Sequence, residues 1–312
     1  MKKEFPIRFP SPVGRNLIKL RYCFFISGGL LLQLIIVALW ISVFGFSLSD
    51  ISYSYRYALH ESFIIITLIL VTSNLIPMKI CYMEGFLIND GMRLIKAPFI
   101  REEGIQEILA TGLITDAHEA YEQDNYALAE KLYQECLQQY PLAAVAKINY
   151  CATLLKLLKF DDARNILLSL LAEKHDTFYD ALIYNNLAWC FLLKHDEQSL
   201  INADDYSKMA FSKFPQSSFI SGTRGCIMIE RGSVYDGIKL LKKNINLNKE
   251  VDKKTNNPVS FFFIGYGYFK NGQPEKAEKY LQHLNTYPEK LDPDYEYLFN
   301  IIKNKTNYFD KI

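Results

Sequence analysis

The sequence predicts an all-α protein in which two transmembrane helices precede a solenoid of about five helical hairpins. Three observations predict this fold class. An uncharged stretch of 24 residues lies near the N-terminus, and a pattern of small and aromatic residues recurs at a fixed spacing further along. The charge is also divided, since residues 1–101 carry 11 Lys and Arg against 5 Asp and Glu, whereas residues 102–312 carry 24 against 29. The predicted parts are a basic N-terminus at 1–22, a membrane hairpin with a juxtamembrane segment at 23–101, and a repeat domain at 102–312.

The first predicted span runs from Cys23 to Phe46 and contains no charged residue. A helix of this length is sufficient to cross a bilayer core of about 30 Å. The stretch is longer than the apolar core of a signal peptide, so we expect the span to remain uncleaved. Prolines at positions 6, 10 and 12 argue against a regular helix before Arg15.

A second apolar run, from Phe63 to about Met78, completes a predicted helical hairpin, although Asn74 and Pro77 interrupt its end. Lys and Arg residues concentrate on the cytoplasmic flanks of membrane spans. Six of them precede the first span, and only Arg56 lies between the two spans. We therefore expect an integral membrane protein with two spans, with both termini and the repeat domain in the cytoplasm.

The repeat is clearest in residues 113–141. Ala117 lies on a first helical pattern and Ala129 on a second, and small side chains at these places allow two helices to approach closely. Ala163 occupies the place of Ala129, and Cys151 that of Ala117, each 34 residues further along. Neither helix of such a hairpin can bury its apolar face alone, so stacked copies are expected.

Three further units continue the array, beginning near Ala181, Ser218 and Pro258. Glycines mark the places of close contact in the last two units, at Gly225, Gly232, Gly237, Gly265 and Gly272. A final segment from Asp294 to Tyr308 is predicted to be a capping helix. With its period of 34 residues, the array resembles the tetratricopeptide repeat (TPR) family over roughly residues 102–312. The resemblance implies a helical solenoid that binds a protein or a peptide.

Partner binding is expected on the concave face, which the first helix of each hairpin lines in this family. The register places apolar and aromatic residues there and few basic ones, which disfavours capture of a peptide C-terminus by lysines. An apolar peptide or helix is favoured instead. The candidate partner-binding residues are Tyr121, Asn185, Trp189, Phe262, Tyr266 and Phe269. The alternative is that these side chains pack against the next repeat, or against the final helix folded into the groove.

A local pattern in the membrane segment resembles a second family. Asn74-Leu75-Ile76-Pro77 is followed by Asn89-Asp90-Gly91, and Gly28-Gly29 opens an apolar stretch upstream. These elements are similar to the Asn-x-x-Pro, Asp-Gly and glycine-rich segments of the site-2 protease family of intramembrane zinc metalloproteases. The resemblance covers roughly residues 20–98 and implies that Asp90 corresponds to the aspartate that completes the zinc site.

The catalytic helix of that family is missing from this sequence. His60-Glu61 begins a His-Glu-x-x-His pattern, but Ile64 stands where the second histidine should be. A hydrolytic zinc site needs about three protein ligands, so we predict no catalytic residue, metal site or cofactor, with Asp90 a vestigial candidate. Two causes remain open: a degenerate relative that keeps the membrane fold, a pseudoprotease, or a chain that begins too late. Zinc is expected only if a His-Glu-x-x-His segment exists upstream.

These observations favour a membrane-anchored repeat scaffold that binds a protein or peptide partner at the cytoplasmic face and is not an enzyme as given. The alternative is a truncated or degenerate site-2-type protease with a regulatory repeat domain. Nucleic acid is not expected as a partner, because it would require a basic face on the folded domain. Six cysteines are spread singly, and those in the repeats are expected to be small apolar fillers.

Overall fold

The computed structural model describes residues 12–45, 55–82, 85–173, 177–247, 257–285 and 291–305. The first eleven residues of the predicted basic N-terminus lie outside this part. So do Phe46 and the last three residues of the predicted capping helix. The chain divides into two compact units, Met1–Ile108 and Leu109–Ile312, and the division falls within one helix.

The first unit is built on two packed helices. Its elements are α1 (Pro12–Phe44), α2 (Tyr55–Leu75), β1 (Lys79–Tyr82), β2 (Gly85–Ile88), α3 (Asp90–Lys96) and a 3-10 turn at Ala97–Phe99. The ring centroids of Trp40 on α1 and Phe63 on α2 lie 5.2 Å apart. The buried apolar side chains of the pair are Ile26, Leu30, Val37, Ile64 and Val71.

The two predicted spans differ in length. Within the described residues, one helix is long and apolar enough to cross a membrane, at Gly14–Phe44, and it has 31 residues. The apolar part of α2 is shorter, at Glu61–Leu75, so the structure does not confirm a second span. The helix α1 also begins at Pro12, and the predicted boundary between residues 22 and 23 therefore lies inside it. Proline is well tolerated at the first position of a helix, which explains this earlier start.

A short β-hairpin, which the sequence analysis did not predict, interrupts the otherwise helical chain. The strands β1 and β2 pair antiparallel, with Lys79 opposite Ile88 and Tyr82 opposite Gly85. Each strand has only four residues, and β1 follows directly on the second predicted span, so the sequence does not distinguish the two. The rest of the described chain is helical or lies in turns.

The second unit consists of helical hairpins, as predicted. The pairs are α4 (Glu102–Glu122) with α5 (Tyr126–Gln139), α6 (Ala144–Lys156) with α7 (Phe160–Leu171), α8 (Thr177–Lys194) with α9 (Glu197–Lys213), α10 (Ser218–Glu230) with α11 (Val234–Leu241), and α12 (Pro258–Lys270) with α13 (Pro274–Asn285). The helix α4 begins in the first unit. The first helices of neighbouring pairs also contact one another, α6 with α8, α8 with α10, and α10 with α12, so they form one layer.

All five described hairpins turn through a residue in the left-handed region. Asp124, Leu158 and His195 have φ values of 58°, 60° and 56°. Gly232 and Gly272 occupy the corresponding places in the last two hairpins, with φ values of 93° and 68°. Such a residue ends the first helix and redirects the chain. Gly232 and Gly272, predicted as close-contact glycines, are therefore turn residues.

Two glycines do make the predicted close contact between helices α10 and α11. A Cβ atom on Gly225 would lie 2.6 Å from Cγ of Leu241, and one on Gly237 would lie 2.8 Å from the carbonyl oxygen of Gly225. Real Cβ atoms do not approach other atoms so closely, so the absence of a side chain allows this pair to pack.

The last helix, α14 (Pro293–Lys305), does not take the predicted capping position but the alternative one, folded against the first helices. A capping helix should cover the exposed end of the last hairpin. Instead, α14 packs against α6 and α8, the first helices of the second and third hairpins. The last helix therefore covers the layer of first helices.

Candidate functional site

The surface that α14 covers is the candidate site, and we call it the groove. It is formed by the first helices α6, α8 and α12 together with Tyr126 at the start of α5. Two predicted residues, Asn185 and Trp189, lie one turn apart on α8, and Phe262, Tyr266 and Phe269 lie on α12. Tyr121 lies at the end of α4.

Two aspartates at the start of α14 bind a cluster of donors. The ammonium group of Lys156 lies 2.8 Å from Oδ2 of Asp292 and 2.9 Å from Oδ1 of Asp294. The indole N–H of Trp189 donates to Oδ2 of Asp294 over 2.9 Å. The hydroxyl of Tyr126 lies between two carboxylates, 2.8 Å from Oδ1 of Asp124 and 2.9 Å from Oδ1 of Asp292. Three helices thus supply one cation and two neutral donors to two carboxylates, and we call this arrangement the carboxylate cradle.

The carboxylate cradle is buried, and the pKa values of its basic and acidic groups are both shifted. Burial alone would lower the pKa of Lys156, but Tyr295, Asp294 and the other neighbours raise it well above its ordinary value. Burial raises the pKa of Asp294, and the nearby Lys156 and Trp189 offset this only in part. Lys156 therefore stays positively charged at neutral pH. The two carboxylates, when both are ionised, carry one more negative charge than Lys156 balances.

Aromatic contacts extend the groove along α14. The rings of Phe262 and Phe299 stack at a centroid distance of 3.7 Å and an interplanar angle of 10°. Trp189 meets Tyr295 edge to face at 5.8 Å. The ammonium group of Lys156 lies 4.1 Å from the centroid of the same Tyr295 ring, which adds a cation–π contact.

The predicted residues differ in what they contact. Trp189 and Phe262 bind α14 directly, in agreement with the alternative that the final helix folds into the groove. Tyr266 is buried, its pKa is raised by burial, and its hydroxyl interacts with Glu230. Burial likewise raises the pKa of Tyr121, which lies near Lys156 and Tyr295. Phe269 is partly buried.

Asn185 is the most unusual of the predicted residues. Its side chain is fully buried, and within the described residues neither its amide oxygen nor its amide nitrogen has a hydrogen-bond partner. Buried amides in proteins are nearly always paired. Asn185 lies one turn before Trp189, on the same side of α8.

Sequence reasoning missed the polar half of the site. Lys156 was absent from the predicted residues, as were Tyr126, Asp292 and Asp294. One signal was present, since Lys156 follows the mostly apolar segment Cys151–Leu155 at the end of a first helix, where a lysine is conspicuous. The acidic residues that it binds lie 136 and 138 positions away, so the sequence alone does not connect them.

In the first unit, Asn89 joins the two elements of the protease-like pattern. Its Oδ1 accepts hydrogen bonds from the backbone N–H groups of Met78 at 3.0 Å and Met92 at 3.1 Å. Its Nδ2 donates to the carbonyl oxygens of Ser73 and Ile76. Asn89 therefore fixes the end of α2 against the start of α3.

Asp90 belongs to no metal-binding group of three side chains in the described part of the chain. It is the first residue of α3 and is half-buried. Within the described residues, no group of three His, Cys, Asp or Glu side chains is placed to hold a metal ion. The side chain of His60 lies outside the described part.

The cysteines of the repeats are buried. Cys136, Cys151, Cys190 and Cys226 lie in the core of the second unit as free thiols. Burial raises the pKa of Cys190 to about 12, so this thiol stays protonated at neutral pH and is a poor nucleophile.

Five helical hairpins, with the first helices of the last four in one layer, define an α-helical solenoid. Residues 120–189 match the family model described as tetratricopeptide repeat, which together with the fold supports a TPR protein. The site-2 protease resemblance receives no support from the comparisons. No curated protein resembles the chain closely enough to count as a match.

The solved structures that are similar to this chain include two TPR proteins. One is TTC0263, a thermophilic TPR protein in Thermus thermophilus, at 18% identity and a TM-score of 0.46. The match covers 62% of this chain and 99% of that one. The other is YrrB, a TPR protein with an unusual peptide-binding site, at 14% identity and a TM-score of 0.36. It covers 61% of this chain and 90% of that one.

Proposed function

We propose that the protein is a membrane-anchored TPR scaffold that binds a protein or peptide partner in the groove, at the cytoplasmic face of the membrane. The docking of α14 carries this proposal, because a peptide segment is held on the first helices by polar and aromatic contacts. A groove that accommodates a helix of 13 residues is suited to a helical or extended peptide of another protein. The proposal assigns no catalytic activity to the chain.

The membrane anchor is supported by the exposed apolar surface of α1. Leu32, Ile35 and Phe44 expose 57%, 54% and 63% of their surface, and other large apolar side chains of α1 do likewise. Large contiguous apolar patches of this kind are rare on soluble monomers and mark interaction or membrane surfaces. We propose that α2 crosses as well. Its 21 residues rise about 32 Å, and its apolar part, Glu61–Leu75, rises about 22 Å, so the crossing requires a locally thinned bilayer.

The orientation rests on the charge distribution. Six Lys and Arg residues precede the first span, and only Arg56 lies between the spans. The positive-inside rule then places the N-terminus in the cytoplasm, and two crossings return the repeats to the same side. Free buried thiols are in keeping with that reducing compartment.

Site-specific photocrosslinking in intact cells tests the proposal. Phe269, at the end of α12, is replaced by the photoreactive residue benzoylphenylalanine. The matched control is the same replacement at Tyr235 on α11, whose side chain is 73% exposed on a second helix. We expect protein adducts from position 269 in the membrane fraction and none from position 235. Equal adducts at both positions, or a chain that alkaline carbonate washes from the membrane, would overturn the proposed function.

A further inference from the structure

We propose that α14 is a displaceable internal ligand, and that the partner is a peptide of the same chemistry that takes its place in the groove. Such a peptide carries two carboxylates two residues apart, followed by aromatic side chains. This inference rests on the proposed function and names the class of ligand that the groove binds.

The carboxylate cradle selects for acidic groups at a defined spacing. Asp292 and Asp294 share the ammonium group of Lys156. Asp294 also accepts from the indole of Trp189, and Asp292 shares the hydroxyl of Tyr126 with Asp124. A helix that only covered apolar surface would need none of these contacts. Because the donors come from three helices of the solenoid, the carboxylate cradle exists wherever the first three hairpins stack correctly.

The charge balance makes the docking selective without making it strong. Two carboxylates are buried against one ammonium group, and burial raises the pKa of Asp294. The desolvation of buried ions offsets most of their attraction, so such pairs specify a partner more than they stabilise a complex. A helix of 13 residues is also marginal in isolation, which further limits the affinity of α14 for its place.

Asn185 gives an external peptide an advantage over α14. Its buried amide has no hydrogen-bond partner among the described residues while α14 is docked. It lies one turn from Trp189, which contacts both Asp294 and Tyr295. A peptide backbone that pairs with this amide would make a contact that α14 leaves unmade, and unpaired buried amides are costly.

Covalent attachment keeps α14 in the groove in the absence of a partner. A tethered ligand acts at an effective concentration in the millimolar range. The intact chain should therefore bind a free copy of its own segment poorly, although the groove itself recognises it. Cutting the chain between α13 and α14 removes this advantage.

The experiment uses the full chain in detergent, with a protease-cleavable sequence inserted between Asn285 and Leu291. The probe is a fluorescent peptide with the sequence of residues 290–305, and its binding is followed by anisotropy. We expect the cut chain to exchange its α14 for the peptide and to bind at least about 100-fold more tightly than the uncut chain. Changing both aspartates of the peptide to asparagine should weaken binding to the cut chain at least about tenfold.

Two protein variants complete the experiment. Lys156→Met in the cut chain should abolish the preference for the acidic peptide, and Lys159→Met, at an exposed lysine, should not. The asparagine peptide tests the same chemistry on an unaltered fold, so the inference stays falsifiable if Lys156→Met misfolds. No exchange at a large peptide excess would overturn the inference, since α14 would then be a permanent part of the core.

Other outcomes also decide against the inference. If intact chains swap α14 with one another and form dimers, the groove is occupied by the α14 helix of a second copy of the chain and not by a peptide of another protein. If the aspartate and asparagine peptides exchange equally well with α14, the groove does not select for carboxylates. In each case, crosslinks at Phe269 to a partner would leave the proposed function standing, and their absence would count against the function itself.

Discussion

The indole N–H of Trp189 donates to a carboxylate oxygen of Asp294 across 2.9 Å, joining residues 105 positions apart in the sequence. The contact fixes the start of α14 to the third hairpin and excludes a position at the end of the array. Trp189 has a second role as the edge-to-face neighbour of Tyr295. One side chain thus connects the polar and the aromatic halves of the groove.

Replacing Lys156 with methionine should release α14. The substitution leaves two buried carboxylates without their cation, and breaking a buried pair in this way costs about 3–5 kcal/mol. Hydrogen exchange of residues 293–305 should then rise to the rate of an undocked helix. Lys159→Met is the matched control, because Lys159 pairs with Glu130 while 44% exposed and should contribute at most about 1 kcal/mol. Unchanged protection of α14 in Lys156→Met would contradict the role of the carboxylate cradle.

The docking of α14 should weaken as the pH rises in two separate ranges. Burial raises the pKa of Asp294 above its ordinary 3.8, so the docked form holds a proton that the free form has lost. The contribution of Asp294 to docking is then complete below about 3.8 and is lost as the pH rises through the raised value. Lys156 has a pKa raised above 10.5, so its contribution is complete below that value and is lost as the pH rises through the docked pKa. Peptide affinity of the cut chain measures both steps.

Asp294→Asn isolates the acidic step of this pH dependence. Asparagine keeps an acceptor for Trp189 and removes one of two carboxylates that share a single ammonium group. We expect the free energy of docking at neutral pH to change by less than about 1.5 kcal/mol, because one charged contact is exchanged for a lower desolvation cost. The acidic step should disappear and the alkaline step should remain. An acidic step that persists in this variant would assign the proton to another group.

Gly237→Ala should destabilise the fourth hairpin. The new methyl group would lie 2.8 Å from the carbonyl oxygen of Gly225 and 2.7 Å from Cγ1 of Ile229, so the two helices must separate. Overpacking of this kind costs about 1–3 kcal/mol in the free energy of unfolding, which thermal or urea unfolding measures. Gly222→Ala is the control on α10, where nothing lies within 4 Å of the added atom. There alanine should stabilise by about 0.5–1 kcal/mol through its helix propensity.

The hairpins were predictable because helix packing restricts residue size. Ala117, Ala129, Cys151 and Ala163 are fully buried at helix contacts, and their spacing of 34 residues is visible in the sequence. The turns were only half predictable. Glycine is an expected residue at positive φ, whereas Leu158 at 60° conforms to a turn that its own sequence does not indicate.

The sequence offered two places for α14, a cap on the last hairpin and the groove, and did not decide between them. Its apolar and aromatic residues show that one face must be buried, but they do not say against which helix. The determining contact is between Lys156 and two aspartates, and it is visible only once three helices converge. The short strands were missed because a run of four residues is too short to show the alternation that separates a strand from the end of a helix.

The number of membrane crossings should decide the side on which the repeats lie. The helix α1 at Gly14–Phe44 is long enough to span, and the basic residues before it favour a cytoplasmic N-terminus. If α2 also crosses, a reporter fused at Ile312 is cytoplasmic and one inserted in residues 48–58 is external. If α1 crosses alone, both reporters are external, because one span separates them from the N-terminus.

We expect the repeats to be cytoplasmic, since they keep free cysteines and an acidic excess that suit that compartment. Glu61 lies at the start of the apolar part of α2 and is buried, so Glu61→Leu should lengthen that part without changing either reporter. An external reporter at Ile312 in the unaltered chain would exclude cytoplasmic partner binding, whatever the groove binds in solution.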